Sequence, residues 1–288
     1  MPNHHHHQHD HPADTGDAAL AELLDLDAEV LRAYLSEVID WVHGLAGDPP
    51  PRRILDVGAG TGNGALALAR RFAEAEVIAL DLSAPLLERL RDKAGRLGLA
   101  DRIHTVRADL DAAWPAVGDP VDLAWAANSL HHLADPDRVL TEVFGAVRPG
   151  GLLAVVELDS FPRFLPADLG VGRPGLEERC HAALAEAHSA ELPHLGSDWG
   201  PRLAKAGFTV EAERRFTIDL TAPLPPAAGR YAQASLRRMR TGLESQLGAD
   251  DLVTLDALID EHGPGSVLRR DDLTVRATRS GWAARRPA

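Results

Sequence analysis

The sequence is poor in cysteine, in long apolar runs and in positive charge, and each shortage excludes a class of protein. Its single cysteine, Cys180, excludes an intrachain disulfide framework and fits a reducing cytoplasm. No apolar run approaches the roughly 20 residues of a membrane helix, and no signal-peptide pattern is present. The formal net charge of −13 argues against a nucleic acid partner, because phosphate binding needs a basic surface. We therefore expect a cytoplasmic protein without a membrane or nucleic acid partner.

The N-terminal region is unlike the rest of the chain. Residues 1–17 are rich in histidine and lack apolar periodicity, so we predict a disordered tail. Clustered histidines can chelate metal adventitiously, but without a fold they supply no defined site, and we assign no metal. Residues 18–50 carry apolar residues at helical spacing and end in three prolines, which predicts an N-terminal helical cap.

A glycine-rich turn follows the first predicted strand, 53–57, and opens a helix over 63–72. Its glycines fall at 58, 60, 62 and 64, which departs from the dinucleotide pattern G-x-G-x-x-G. Asp56, just before the turn, would repel a pyrophosphate but could accept hydrogen bonds from an ammonium group. Asp81 ends the next strand, where a carboxylate would meet ribose hydroxyls. The pattern favours a ligand with ribose hydroxyls, an amine and no phosphates, such as S-adenosylmethionine.

Strands and helices then alternate along the chain, which predicts right-handed crossovers and a parallel sheet covered on both faces. We expect an α/β fold with a Rossmann-like, mostly parallel seven-stranded sheet flanked by helices, an N-terminal helical cap and helical insertions. The core would occupy 51–158. Residues 159–288 would complete the sheet and carry two substrate-covering insertions, at 159–196 and 221–272.

The segments ILDVGAGTG (54–62), VIALDLS (77–83), VRADL (106–110), VDLAWAANSLHHLADP (121–136) and VRPGGLLAVVE (147–157) resemble the class I S-adenosylmethionine-dependent methyltransferases of small-molecule type. The resemblance implies S-adenosylmethionine as cofactor. It implies cofactor contacts from Asp56, Gly58, Ala59, Gly60, Gly62, Asp81, Leu82, Asp109, Leu110 and Asn128. For each aspartate the alternative is a loop or helix cap.

Methyl transfer from a sulfonium is an in-line displacement, so the protein mainly positions the acceptor and excludes water. A base is needed only if the acceptor loses a proton. The candidates are His131 and His132, after the fourth strand, and Glu157, at the end of the fifth. The alternative is that a histidine packs under the next helix, and related enzymes often carry such a pair without using it for proton transfer.

The acceptor pocket should be built from the N-terminal helix and the insertions, with Arg163, Trp199, Arg230 and Tyr231 as candidate substrate contacts. Packing and solvated arginines are the alternatives. We predict methyl transfer to an O, N or C atom of a small organic metabolite. A non-catalytic cofactor-binding or scaffold protein is the first alternative. An NAD(P)-dependent oxidoreductase is the second, disfavoured by the glycine spacing. A homodimer is left open, as is the identity of the acceptor.

Overall fold

The computed structural model describes residues 12–288. Most of the predicted His-rich tail, residues 1–11, lies outside this range, so its predicted disorder stays untested. The first helix begins at Pro12, inside the segment that was expected to be disordered.

The sheet has seven strands in the order β3-β2-β1-β4-β5-β7-β6. Their bounds are β1 Arg53–Val57, β2 Glu76–Asp81, β3 Ile103–Arg107, β4 Val121–Ala127, β5 Val147–Leu158, β6 Thr209–Leu220 and β7 Val275–Arg285. Strands β1 to β5 pair in parallel, whereas β7 runs antiparallel to both β5 and β6. This confirms the predicted Rossmann-like, mostly parallel seven-stranded sheet.

The helices cover both faces of the sheet and cap one edge. Their bounds are α1 Pro12–Val30, α2 Arg32–Leu45, α3 Asn63–Arg71, α4 Ala84–Arg96, α5 Pro136–Ala146, α6 Leu176–Glu191, α7 Gly200–Lys205, α8 Ala228–Gly242 and α9 Ala249–Ile259. In the part of the chain that the structure describes, no helix combines the length and the apolar character needed to cross a bilayer.

Local sequence signals explain where the crossover helices begin. The Ser83 hydroxyl accepts a hydrogen bond from the Leu86 amide at 3.3 Å and caps α4. Asp135 accepts from the Arg138 amide at 3.0 Å and caps α5, with Pro136 at the first helical position. Both caps satisfy amides that have no partner inside the helix.

Alternation along the strands divides the core between the two faces. In β1, Ile54 packs with α2 and α3, whereas Leu55 and Val57 pack on the face covered by α5 and α7. A third apolar cluster joins α1, α6, α8, α9 and the start of β7, including Val275. The inserted helices therefore share a core with α1 beside the sheet.

Candidate active site

A cavity of about 460 Å³ opens where β1, β2, β3 and β4 end. It lies between β1 and β4, where the strand order reverses. Open α/β sheets bind their ligands at this point. The N-terminal helical cap, formed by α1 and α2, supplies one of its walls. The cap contributes Leu20, Leu24, Asp27, Ala28, Leu31, Tyr34 and Leu35.

The glycine turn brings bare backbone to the cavity wall. Gly58 has φ +76, and a Cβ there would lie 2.4 Å from the Cβ of Ser129. Gly60 has φ +54, in the region that residues with a Cβ rarely adopt. Gly62 does not line the cavity. Its added Cβ would lie 2.0 Å from Cδ1 of Leu90, so Gly62 lets α3 pack against α4.

One carboxyl oxygen of Asp56 lacks a hydrogen-bond partner at the cavity wall. The side chain is buried in β1 and accepts a hydrogen bond from the backbone of Ala65, in the first turn of α3. Its Oδ2 atom has no hydrogen-bond partner. Burial, assisted by the nearby Asp81, raises the pKa of Asp56 to about 7. A cationic ligand group would offset this cost of burial.

Asp81 shapes the turn and also faces the cavity. Its Oδ2 accepts from the Gly60 amide at 2.7 Å, and its Oδ1 accepts from the Ser83 amide at 2.9 Å. Each carboxylate oxygen keeps a second lone pair for a ligand. Contact with ribose hydroxyls is therefore compatible with this geometry and stays a prediction.

Five further predicted cofactor residues line the same cavity: Ala59, Leu82, Asp109, Leu110 and Asn128. Asp109 Oδ1 accepts hydrogen bonds from the amides of Asp111 and Ala112, at 3.0 and 3.2 Å. These are the bonds expected if the aspartate stabilises a loop, which was the alternative to cofactor binding. The Leu82 side chain is 56% exposed and gives the rim an apolar surface. Asn128 has φ +52 and a buried Oδ1 without a partner, so backbone strain coincides with an unsatisfied oxygen at the wall.

The three candidate bases separate into a buried pair and one cavity residue. His131 and Glu157 are buried, and Nδ1 of His131 lies 2.5 Å from Oε2 of Glu157. Glu157 Oε1 accepts from the amides of Ser129 and Leu130. Neither side chain lines the cavity, which corrects their expected position at its rim. The contacts of His131 and Glu157 hold the loop after β4 in place. His132, in contrast, lines the cavity.

None of the four candidate substrate residues lines the cavity. Trp199 is fully buried in the core beside α7, Arg163 forms an isolated bridge with Arg276, and Arg230 is exposed and paired with Glu22. Packing, the first alternative, therefore describes Trp199, and a solvated arginine, the second, describes Arg230, whereas Arg163 is placed by its backbone pairing. Tyr231 is adjacent, because its hydroxyl donates to the cavity residue Asp27 at 2.6 Å.

Residues 54–151 match the family model for a methyltransferase domain. This part of the chain is a methyltransferase domain. A malonyl-[acyl-carrier protein] O-methyltransferase of Laribacter hongkongensis is 38% identical over 113 residues, which is 38% of this chain and 38% of that protein. A trans-aconitate 2-methyltransferase of Methylobacterium radiotolerans is 41% identical over 105 residues, covering 36% and 37%. The match thus spans well under half the length of these curated relatives.

A likeness to solved structures extends over more of the chain. A candidate methyltransferase from Bacillus halodurans C-125 superposes with a TM-score of 0.55 over 87% of this chain and 99% of that one, at 18% identity. At this identity the likeness shows the fold alone. Residues outside 54–151, including the cap and β7, therefore have to be interpreted from their own chemistry.

Sequence reasoning missed three polar residues that reach the methyltransferase domain's cavity from outside the matched segment: Asp27, Tyr34 and Arg279. Arg279 is 4% exposed, and its Nη2 lies 2.5 Å from Asp27 Oδ1. Its guanidinium lies 4.8 Å from the centre of the Tyr34 ring. The one available signal was the position of Asp27 among the apolar residues of α1, because β7 contains three arginines and Arg279 does not stand out among them.

Proposed function

We propose that the chain binds S-adenosylmethionine in this cavity and transfers its methyl group to an O, N or C atom of a small organic metabolite. The observation that carries the proposal is the convergence of Asp56, Asp81 and Asp109 on one capped cavity at the carboxyl edge of the sheet. An adenosyl sulfonium offers an amine, ribose hydroxyls and a base to such a set of groups. The expected cytoplasmic location and lack of a nucleic acid partner remain predictions.

Each end of the cofactor has a matching group in the cavity. Asp56 Oδ2 would accept from the ammonium group, because that oxygen is buried without a partner. Asp81 would accept from the ribose hydroxyls, and Leu82 would pack against the base, since over half of its side chain is exposed at the rim. When bound, the cofactor supplies an electrophilic methyl group together with its leaving group.

The cap supplies apolar side chains that would pack against the acceptor. Leucines of α1 and the start of α2 line the side of the cavity that faces away from the sheet. An apolar wall on this side excludes water from the acceptor and restricts it to near-attack positions, which is the main contribution a protein makes to this displacement. The cavity volume of about 460 Å³ is in the range of small-molecule sites.

His132 is the candidate base that the geometry favours. It lines the cavity, and its ring lies 4.1 Å from that of His131, which Glu157 holds in place. An acceptor hydroxyl that loses its proton on attack would need such a group, whereas an amine or a carbanion would not. The relatives named for malonyl-[acyl-carrier protein] and trans-aconitate support a metabolite-like acceptor, and the atom methylated stays open.

Calorimetric titration tests the cofactor assignment. S-Adenosylhomocysteine should bind and NAD should not, because the carboxylates at the turn would repel a pyrophosphate. Tight NAD binding would favour the oxidoreductase alternative. Binding of S-adenosylhomocysteine without turnover of any acceptor in a broad metabolite panel would favour the non-catalytic alternative.

A further inference from the structure

Arg279 is a buried cation on the side of the cavity away from the predicted adenine and ribose contacts. It lies in β7 opposite Leu158, the last residue of β5. The predicted contacts to ribose and base lie at the other end of the strand order, where Asp81 ends β2 and Asp109 follows β3. The side chain is 4% exposed and reaches the cavity.

The partners of Arg279 leave part of its donor set unused. Nη2 contacts Oδ1 of Asp27 at 2.5 Å, and the hydroxyl of Tyr231 donates to the same oxygen at 2.6 Å. The Tyr34 ring covers the guanidinium at 4.8 Å. Nε is buried and has no hydrogen-bond partner. A buried guanidinium nitrogen without an acceptor is costly, and an oxyanion would satisfy it.

The charge around the cavity restricts what that anion can be. Among the described residues that line it, Arg279 is the one permanent cation, and the carboxylates are those of Asp27, Asp56, Asp81, Asp109 and Asp111. A phosphate dianion would meet this excess of negative charge. A carboxylate carries one charge and matches the planar guanidinium.

We propose that Arg279 binds a carboxylate of the methyl acceptor, so that the substrate class of this site is small organic acids. This inference rests on the proposed function. The same chemistry could come from the carboxylate of the cofactor's methionine portion. The position of Arg279 beyond β5, on the cap side with Tyr34, favours the acceptor.

The test compares acids with their primary amides on protein saturated with S-adenosylhomocysteine. Benzoate against benzamide and butyrate against butyramide have similar shapes but differ in charge, and ligand-observed NMR titration gives their affinities. In the unaltered chain each acid should bind about tenfold more tightly than its amide. In Arg279→Gln this preference should fall to within about twofold, with the affinity for S-adenosylhomocysteine unchanged.

The Asp27→Asn variant should change the affinity for acids in the opposite direction. It removes the competing carboxylate but keeps the guanidinium, so acids should bind several-fold more tightly than in the unaltered chain. A purely structural role for the pair predicts weaker binding in both variants. This arm also decides the question if Arg279→Gln does not fold, since unchanged or weakened acid binding in Asp27→Asn overturns the proposal.

The outcomes separate this inference from the proposed function. Equal affinity for acid and amide, or an acid preference that survives in Arg279→Gln, overturns the inference. Loss of S-adenosylhomocysteine affinity in Arg279→Gln would assign the guanidinium to the cofactor's carboxylate and also overturn it, while leaving the methyltransferase proposal intact. Failure of the unaltered chain to bind S-adenosylhomocysteine would overturn the proposed function itself.

Discussion

The ammonium group of Lys93 lies 2.8 Å from Oδ1 of Asp25, and this ion pair fastens α1 to α4 beside the cavity. Lys93 also donates to the Thr61 carbonyl at 2.9 Å and to Asn63 Oδ1 at 2.6 Å. Burial favours a higher pKa for Asp25, but hydrogen bonds from Lys93 and Thr61 outweigh it and hold the pKa below its usual value. The cap and the glycine turn therefore depend on the same two side chains.

Lys93→Met should loosen the cap and destabilise the protein. Removing the ammonium leaves several acceptors short of a donor in a partly buried place, which costs about 1–3 kcal/mol. Urea unfolding gives the free energy, and hydrogen exchange over α1 should show faster opening. Arg71→Met is the matched control, because its ion pair with Asp40 is exposed and should contribute less than about 1 kcal/mol. Equal losses in the two variants would contradict a special role for Lys93.

Asp81→Asn should weaken the binding of S-adenosylhomocysteine by about 1.5–3 kcal/mol if the carboxylate accepts from ribose hydroxyls. The variant also disturbs the amides of Gly60 and Ser83, so affinity alone does not isolate the ribose contact. A 2′,3′-dideoxy analogue provides the control. Titration calorimetry should show a smaller loss for the analogue than for S-adenosylhomocysteine. Equal losses would mean that Asp81 acts only by shaping the turn.

Glu157→Ala should destabilise the protein far more than His132→Ala. Glu157 accepts from two backbone amides and from His131, all in a buried place, so its removal should cost about 3–5 kcal/mol. His132 lies at the exposed cavity wall, and its removal should cost less than about 1 kcal/mol. Urea unfolding of both variants measures the difference. Similar losses would contradict the division of these residues into a buried pair and a cavity residue.

The sheet could be predicted because its signals are local. The predicted bounds of β1 are those in the structure, and the acid at the end of β2 falls at the cavity, since apolar runs and turn residues fix strand ends without long-range information. The same local signals do not predict which of two adjacent histidines is buried. Whether His131 or His132 faces inward depends on Glu157, which follows 26 residues after His131.

The acceptor side could not be predicted, because its contacts join distant parts of the chain. Arg279 and Asp27 are 252 residues apart in sequence, and spacing carries no information about such a pair. Trp199 was predicted to contact the substrate, but it precedes the short helix α7 and is buried in the core. The sequence does not show whether an aromatic side chain faces a pocket or the core.

Asp56 should make cofactor binding dependent on pH. Burial raises the pKa of this carboxyl to about 7, so it is mostly protonated at pH 6 in the free protein. An ammonium group beside Oδ2 favours the ionised form, and binding should therefore release a proton. From pH 8 to pH 6 the affinity for S-adenosylhomocysteine should fall roughly tenfold.

Calorimetry in buffers of different ionisation enthalpy measures that proton. Release should approach one proton per site at pH 6 and largely disappear at pH 8, where Asp56 is already ionised. Asp56→Asn is the control, because it keeps the shape and cannot titrate, and so reports the ligand's own contribution. A flat pH profile in the unaltered chain would show that Asp56 does not face the ammonium group.

Gly62→Ala should be much more destabilising than Gly47→Ala, although both glycines have positive φ. Gly47 has φ +87 and nothing within 4 Å of an added Cβ, so alanine there meets only the backbone cost of about 1–2 kcal/mol. At Gly62 the added Cβ would also lie 2.0 Å from Leu90 Cδ1, in the packed contact between α3 and α4. Overpacking adds about 1–3 kcal/mol to the loss. Urea unfolding should resolve this excess, and equal losses would mean that α4 moves aside without cost.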